Sequence, residues 1–357
     1  MTTNGTGASD AAMSRMRDIA DRLGVSVASV SRALNNRPGV TDELRRRVLE
    51  EATAQSYVPN PRAQAANVQG TRMIAFILHR REGSLAQDPF YPAILQGVGA
   101  EAAAAGYHVL VRSTNHADEL QAAQLALFTE RRVDACVVAG DDVDTRLILD
   151  LWRSGPPLIL VNNAVEGVDV DSVETDNVAG ARSITSHLIA RHGYREIAML
   201  VNSPLAWSTL RDRVLGYREA ITKAGLAPMI IEAKSMNAPC ATAALREYLE
   251  AGNRPRAVVA FNDSLALGAM HAIRAAGMRI PEDISVVGYD DIPGAALTDP
   301  PLTTVRIHTT QMGQEAARRL ISQLQARGHD GAPPVPTRTI LRNELVIRQS
   351  CGCPAAG

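Results

Sequence analysis

Apolar positions follow two different rhythms along this chain. From Arg15 to Tyr57 they recur at helical spacing, and three short helices are expected. Met16, Ile19, Ala20 and Leu23 share one face, and the run stops at Gly24, a residue suited to a helix end. Ser26 is placed to cap a second helix, whose Val30, Ala33 and Leu34 point inward. Only Gly24 and Val25 separate the two, a connection short enough to force a sharp angle. Beyond the turn Asn35-Asn36-Arg37-Pro38-Gly39, Thr41 can cap a third helix. Asp42 and Glu43 fall in its first turn with Arg45, Arg46 and Arg47 behind them, the order a helix dipole favours. Leu44, Val48 and Ala52 supply its buried stripe. Helix, tight glycine turn, helix and packing helix make up the helix-turn-helix plan.

Pro59-Asn60-Pro61 then offers a cap and a proline at the first helical position, so residues 62–69 can form a short helix ending at Gly70. Its only apolar residues are Ala63, Ala65, Ala66 and Val68, too few to fold alone. Such a segment is a linker or a helix that forms on a partner. From Arg72 onward the rhythm changes to apolar runs at Met73–Leu78, Tyr107–Val111, Ala135–Ala139, Leu158–Val161, Ile197–Val201, Ala257–Phe261 and Ile284–Val287. Helical stretches at Ala93–Ala105, Asp118–Arg131, Gly180–His192, Asp212–Ala224 and Leu265–Ala276 separate them. This βα repetition predicts an α/β body of parallel sheets wound with helices, in two lobes. Ligands in such folds collect at the carboxyl ends of the strands, so a cleft between lobes is the expected pocket.

Composition agrees. At 357 residues the chain is long enough for two or three units, and 46% apolar residues can fill substantial cores. No stretch reaches the roughly 18 apolar residues of a membrane helix. Residues 1–13 are rich in Thr, Gly, Ala and Ser, with no apolar run, and read as a disordered tail and not a signal peptide. Four cysteines without regular spacing fit a reducing cytoplasm. The net charge of −1 is unevenly spread: between Ser14 and Arg72 ten arginines face six acidic residues, for +4. A basic head on a neutral body fits a local phosphate footprint, and equally a solvated charged surface.

An ordered set of motifs sharpens this. Asp18-Ile19-Ala20, Leu23-Gly24-Val25-Ser26, Val30-Ser31-Arg32 and Tyr57-Val58-Pro59-Asn60 fall without a gap in a spacing that closely resembles the DNA-binding head of the LacI/GalR repressor family. Further matches run through Asp88-Pro89-Phe90-Tyr91, Arg211-Asp212-Arg213, Gly216-Tyr217, Asn262-Asp263, Val286-Val287-Gly288-Tyr289-Asp290-Asp291 and Pro300-Pro301-Leu302-Thr303-Thr304-Val305. The resemblance spans roughly residues 15–350. It implies an all-α helix-turn-helix domain (14–60), a hinge helix or linker (61–71) and a two-lobed, periplasmic-binding-protein-like receptor domain (72–350). Lobe 1 is expected at about 72–175 and 306–334, lobe 2 at about 176–305 and 335–350, with a tail over 351–357. The implied function is sequence-specific, effector-controlled repression, by a homodimer on a near-palindromic site in double-stranded DNA. An activator or dual regulator is the alternative within the family.

Within the head, a recognition helix presents its N-terminal residues to base edges in the major groove. Here it opens with Val27 and Ala28, which suit thymine methyls or close helix approach, or simply pack. Arg32 can reach guanine or a phosphate, or stand exposed. Ser26, Ser29, Ser31 and Asn35 are expected as phosphate or cap groups. Family members carry a leucine wedge in the hinge, where this chain has Ala66. Wedging needs apolar bulk, so a shallower DNA kink is expected, with Asn67 free to bond a minor-groove acceptor and Ala63 beside it.

For the receptor domain the resemblance implies an effector cleft lined by Phe90, Asn162, Arg213, Met236, Asn262 and Asp290. An Arg fork with Asn and Asp at strand ends suits hydroxyls or a carboxylate, as in a sugar or related metabolite. Phe90 can also be a packed aromatic, and Asp290 a helix cap. Met236 stands where sugar-binding relatives often place a stacking ring; Trp207 can supply that ring or pack.

Other chemistry is not expected. Cys351-Gly352-Cys353 has no second Cys/His pair at suitable spacing, and the eight histidines show no ligand spacing, so no metal or cofactor is anticipated. Gly97-Val98-Gly99 lies inside a helical stretch, outside the strand-turn-helix context of a dinucleotide loop. There is no Walker A, His-Glu-x-x-His or Gly-x-Ser-x-Gly sequence and no nucleophile–base constellation, which weighs against an enzyme. A secreted solute receptor would need a signal and no helix-turn-helix. No leucine heptads follow Arg348, so a dimer is expected over a tetramer built on a coil.

Overall fold

The computed structural model describes residues 16–34, 39–55, 70–79, 89–114, 126–127, 130, 132–140, 145–153, 155–165, 170–202, 208–327 and 335–354. Asn35, Ala63, Ala66, Asn67, Trp207 and most of the helix expected over Asp118–Arg131 lie outside the described residues. The chain divides into two compact units, Met1–Thr71 and Arg72–Gly357.

The first unit holds three helices: α1 (16–23 of the described residues), α2 (Val27–Leu34) and α3 (Asp42–Ala54). Ile19, Ala20, Val30, Ala33, Val48 and Ala52 form its core, each from the helical stripe expected of it. Gly24 turns the chain between α1 and α2 at φ +66°, a conformation glycine adopts without steric cost. Ser26 Oγ accepts from Ser29 N at 3.1 Å, and Thr41 Oγ1 accepts from Leu44 N at 3.3 Å, capping α2 and α3.

The second unit contains two parallel sheets. In the first lobe β1 (Met73–His79), β2 (His108–Thr114), β3 (Ala135–Gly140), β4 (Leu158–Val161) and β5 (Asp171–Thr175) combine with β11 (Arg338–Leu341) in the order β11-β5-β4-β3-β1-β2. In the second, β6 (Ile197–Asn202), β7 (Met229–Ala233), β8 (Ala257–Ala260) and β9 (Ser285–Val287) run β7-β6-β8-β9. Strands β1, β3, β4, β6 and β8 are almost wholly buried, as parallel strands covered on both faces must be. Helices α4 (Tyr91–Ala104), α5 (Thr145–Arg153) and α10 (Thr309–Arg327) belong to the first lobe; α6 (Asn177–His192), α7 (Ser208–Lys223), α8 (Ala238–Glu250) and α9 (Asp263–Ala275) belong to the second.

Between the lobes the chain crosses three times, after β5, after β10 (Thr304–Arg306) and between β11 and β12 (Glu344–Val346). β10 and β12 pair antiparallel there. Asn343, on the third crossing, donates from Nδ2 to Asp176 O at 2.8 Å and to Tyr289 Oη at 2.7 Å, and its carbonyl accepts from Thr175. One side chain thus ties the first and third crossings to the second lobe.

Two expected boundaries change. Residues 338–341, placed by the sequence in the second lobe, pair with Ser172–Thr175 in the first-lobe sheet. The reason is β5 itself, a strand of Asp, Ser, Val, Glu and Thr that shows no apolar run yet is buried along its length. Its acids find partners brought by later sequence: Asp171 accepts from Arg319, Gln323 and Thr337, and Glu174 from Arg338 and Ser172. The second change is at the C-terminus. Cys351 is fully buried, so 351–354 continue the second lobe and are no tail.

Candidate functional site

Arg213 is the centre of the candidate site in the second lobe. It sits on α7, a helix held against α6 by Gly216, where a Cβ would lie 2.2 Å from Val178 O, and against the sheet by Tyr217. The Tyr217 hydroxyl donates to Ile197 O at 2.7 Å and accepts from Met229 N at 3.0 Å. The Gly-Tyr pair of the motif therefore positions the helix that carries Arg213.

The guanidinium is only 3% exposed and fully organised by protein groups. Nε donates to Asn177 Oδ1 at 2.9 Å and Nη1 to Phe261 O at 2.7 Å, while Nη2 stands 3.2 Å from Asp290 Oδ1. Its carbon lies 3.8 Å from the Tyr289 ring centroid and 4.6 Å from that of Phe261, so the cation lies over both aromatic rings. Asp290 follows β9 at φ +112°, a rare conformation for a residue with a side chain, and is an ion-pair partner with no helix to cap.

Behind this pair lies Asp263, fully buried at the start of α9. Its Oδ1 accepts from Thr304 Oγ1 at 2.6 Å and its Oδ2 from Ile292 N at 2.9 Å. Burial, and then the nearby Asp290 charge, push its carboxyl up to about 8 against the pull of those two donors. Gly288 makes room for it: a Cβ there would stand 2.1 Å from Asp263 Oδ1.

The remaining expected ligand residues divide. Asn162 ends β4 at φ +56°, is buried, and its Oδ1 has no hydrogen-bond partner among the described residues. Asn202 ends β6, likewise buried and with an Oδ1 unmatched among the described residues. The sequence reading missed Asn202, although an apolar run ending in Asn marks both positions. Asn262 Oδ1 is spent on capping α9, accepting from Leu265 N at 2.9 Å. Phe90 is buried edge-on against Tyr91, ring centroids 5.2 Å apart, at the start of α4. Met236 is half-buried against the core ahead of α8. Arg213 and Asp290 are in direct contact; Asn162, Asn202, Asn262 and Asp290 share a position at or just past the carboxyl end of a strand.

In the first unit α2 presents Ala28 and Arg32 as exposed residues, with Ser26 exposed and Ser29 and Ser31 half-buried. Ser26 Oγ and Ser29 Oγ share a hydrogen bond of 2.9 Å. Val27 packs partly on the core, so the packing alternative holds at least in part for this residue. Arg46 pairs with Glu43 and Glu50 and Arg22 with Glu51, engaging two of the arginines counted toward the positive head. No helix among the described residues is long and apolar enough to cross a membrane.

The model for bacterial regulatory proteins of the lacI family matches residues 15–60, and that for a periplasmic binding protein-like domain matches residues 185–351. The HTH-type transcriptional regulator CelR of Thermobifida fusca is 31% identical over 346 residues, covering 93% of this chain and 96% of its own length. The solved lac repressor dimer bound to operator and the anti-inducer ONPF superposes with a TM-score of 0.81 at 26% identity, covering 94% of this chain and 98% of its own. The CelR–cellobiose complex does so with a TM-score of 0.71 at 28% identity, covering 94% and 99%. With a capped helix-turn-helix at one end and an α/β receptor unit at the other, the chain belongs to the LacI family of DNA-binding transcriptional regulators.

Proposed function

We propose that the protein is a repressor that binds a near-palindromic operator as a homodimer and releases or grips it according to a hydroxyl-rich effector, a sugar or nucleoside, held between its lobes. One observation carries the choice of effector class. Among the described residues, Asn162 and Asn202, one in each lobe, hold buried carbonyl oxygens without a donor. A buried acceptor left unmatched costs about 1–3 kcal/mol, which a ligand hydroxyl at each would recover. Arg213 and Asp290 then orient the ligand, their own geometry fixed beforehand by Asn177, Phe261 and Tyr289. That CelR is solved with cellobiose and the lac repressor with operator supports the reading.

One helix-turn-helix reads half a site, so two copies related by a two-fold axis match a near-palindrome. Arg32 reads a base or anchors a phosphate from α2; Ala66 in the hinge leaves the DNA kink shallow. The protein works in the cytoplasm and by binding alone, so a bound effector is recovered unchanged. The test is a thermal-shift screen of the dimer against sugars, nucleosides and small acids, since a ligand selective for the native state stabilises it by about 2.7 kcal/mol at 100 Kd. Operator affinity is then measured by fluorescence anisotropy with and without each hit. Sugar or nucleoside hits that shift operator affinity support the proposal. Hits confined to small acids, or hits without effect on operator binding, overturn it.

A further inference from the structure

At the C-terminal end of α6 four side chains converge that the regulator reading leaves unused. His187 and His192 come from the helix, and Cys351 and Cys353 from the last described residues of the chain. Cys351 Sγ lies 3.7 Å from His187 Nε2, and Cys353 Sγ lies 3.6 Å from the same nitrogen and 3.4 Å from His192 Nε2. One ligand atom from each residue can be chosen so that all four lie within 4.8 Å of one another.

The three sulfur–nitrogen separations match one shared ion. With Zn–S of about 2.3 Å and Zn–N of about 2.0–2.1 Å, a tetrahedral centre holds a sulfur and a nitrogen roughly 3.5 Å apart. The backbone is shaped for it. Gly352 adopts φ +96° and its N–H bonds Gln349 O at 2.9 Å, so the Cys-Gly-Cys turn brings both thiols to one side. A Cβ on Gly352 would stand 3.5 Å from the His192 ring, so the turn lies directly against that imidazole. The His192 ring also stacks on Tyr194, centroids 5.2 Å apart, whose hydroxyl donates toward Cys351 O at 3.4 Å and bonds Ser285.

We propose that His187, His192, Cys351 and Cys353 form a zinc site closed by four protein ligands, which fastens the C-terminal segment to the second lobe. Four protein ligands leave no open position, which marks a structural and not a catalytic centre. The ion binds the two thiolates and two neutral imidazoles, and the two thiol protons pass to solvent. The expectation of no metal drawn from the sequence is revised for a geometric reason. Residues five apart on a helix stand about 140° around its axis, a poor ligand spacing, yet the second of the pair is the last residue of α6. The cysteines lie some 160 positions further on.

The test uses the full-length, untagged protein under a non-chelating reductant. Elemental analysis should find one zinc per chain. Removing it should lower Tm, and cobalt replacing it should give the intense visible bands of a tetrahedral ion with thiolate-to-cobalt charge transfer. Cys353→Ser and His187→Gln should each lose the bound zinc, whereas Cys240→Ser, outside the cluster, should keep it. If a variant fails to fold, the wild-type stoichiometry and cobalt spectrum still decide. Protein that neither carries zinc nor takes up cobalt, an octahedral cobalt spectrum, or unchanged zinc content in Cys353→Ser overturns the proposal.

Discussion

Removing Arg213 tests the second-lobe site most directly. Arg213→Ala deletes a guanidinium that is 3% exposed, leaving Asp290, 11% exposed, without its ion-pair partner. It also strips donors from Asn177 Oδ1 and Phe261 O and opens a gap between the Tyr289 and Phe261 rings. Removing one partner of a buried pair costs about 3–5 kcal/mol, and each orphaned acceptor about 1–3 kcal/mol. These losses share one site and do not add. The expected total is about 4 kcal/mol, which for a unit of this length lowers Tm by roughly 5–8 °C. Denaturant unfolding and a thermal scan give the stability loss, and calorimetry with an effector found in the screen gives binding. At a temperature well below the lowered Tm, unliganded Arg213→Ala should bind operator like the wild type yet fail to respond to effector. A Tm within about 1 °C of wild type would refute the energetic argument. A large stability loss with effector affinity intact would leave Arg213 a structural residue only.

Gly97→Ala should cost about 1–3 kcal/mol, because its Cβ would lie 2.1 Å from Thr310 O where α4 meets α10. Gly99→Ala, with nothing within 4 Å, should be neutral or gain up to about 1 kcal/mol of helix propensity; equal effects in urea unfolding would reject the packing role of Gly97. Arg32→Ala should weaken operator binding by the equivalent of about 1–3 kcal/mol if Arg32 reads a base, or lower the salt slope by about 1 if it contacts phosphate. Unchanged anisotropy titrations across salt concentrations remove it from the interface. Asp263, with its carboxyl pushed up to about 8, keeps a proton in the native state that the unfolded chain loses near pH 4. Stability should therefore fall as pH rises through that window, by up to about 1.4 kcal/mol per unit, and level off above about 8. Asp263→Asn should flatten that slope in urea titrations across the window; an unchanged slope assigns it to other groups.

Periodicity made the core visible in the sequence, and chemistry carried by distant partners stayed hidden. The helix-turn-helix was legible because Ile19, Val30 and Val48 sit on local helical stripes and Gly24, Ser26 and Thr41 act on their nearest neighbours. β1, β3, β4, β6 and β8 were legible as apolar runs. β5 was not, since Asp171 and Glu174 are buried only because Arg319, Gln323, Thr337 and Arg338 arrive more than 140 positions later. β11 follows from that same pairing. Arg213 and Asp290 were singled out through motif spacing, yet nothing local announced that Asn177 and two rings would hold the arginine in place. The capping role of Asn262 was written in its position ahead of Asp263 and an apolar helix, and in the structure it takes the oxygen that a ligand role would have used.

Asp290 and Asp291 show how the site can act on the rest of the receptor unit. Both residues have positive φ, +112° and +57°, and two such residues in succession send adjacent carboxylates to different tasks. Asp290 faces Arg213, while Asp291 binds Arg306 Nε and Arg348 Nη2, each at 2.7 Å. The backbone of Asp290 also donates to Val305 O at 2.8 Å and accepts from Ile307 N at 3.3 Å, so it is paired with the second crossing between lobes. A ligand engaging Arg213 and Asp290 therefore acts one peptide bond away from the residues that anchor that crossing. Such a ligand shifts the lobes only if it binds one arrangement better than the other, because affinity shared equally between states moves no equilibrium. Asp291 thus joins the Arg213–Asp290 contact to the second crossing, and on the proposed function a ligand hydroxyl at each of Asn162 and Asn202, one per lobe, would favour the lobe separation at which both can be met at once.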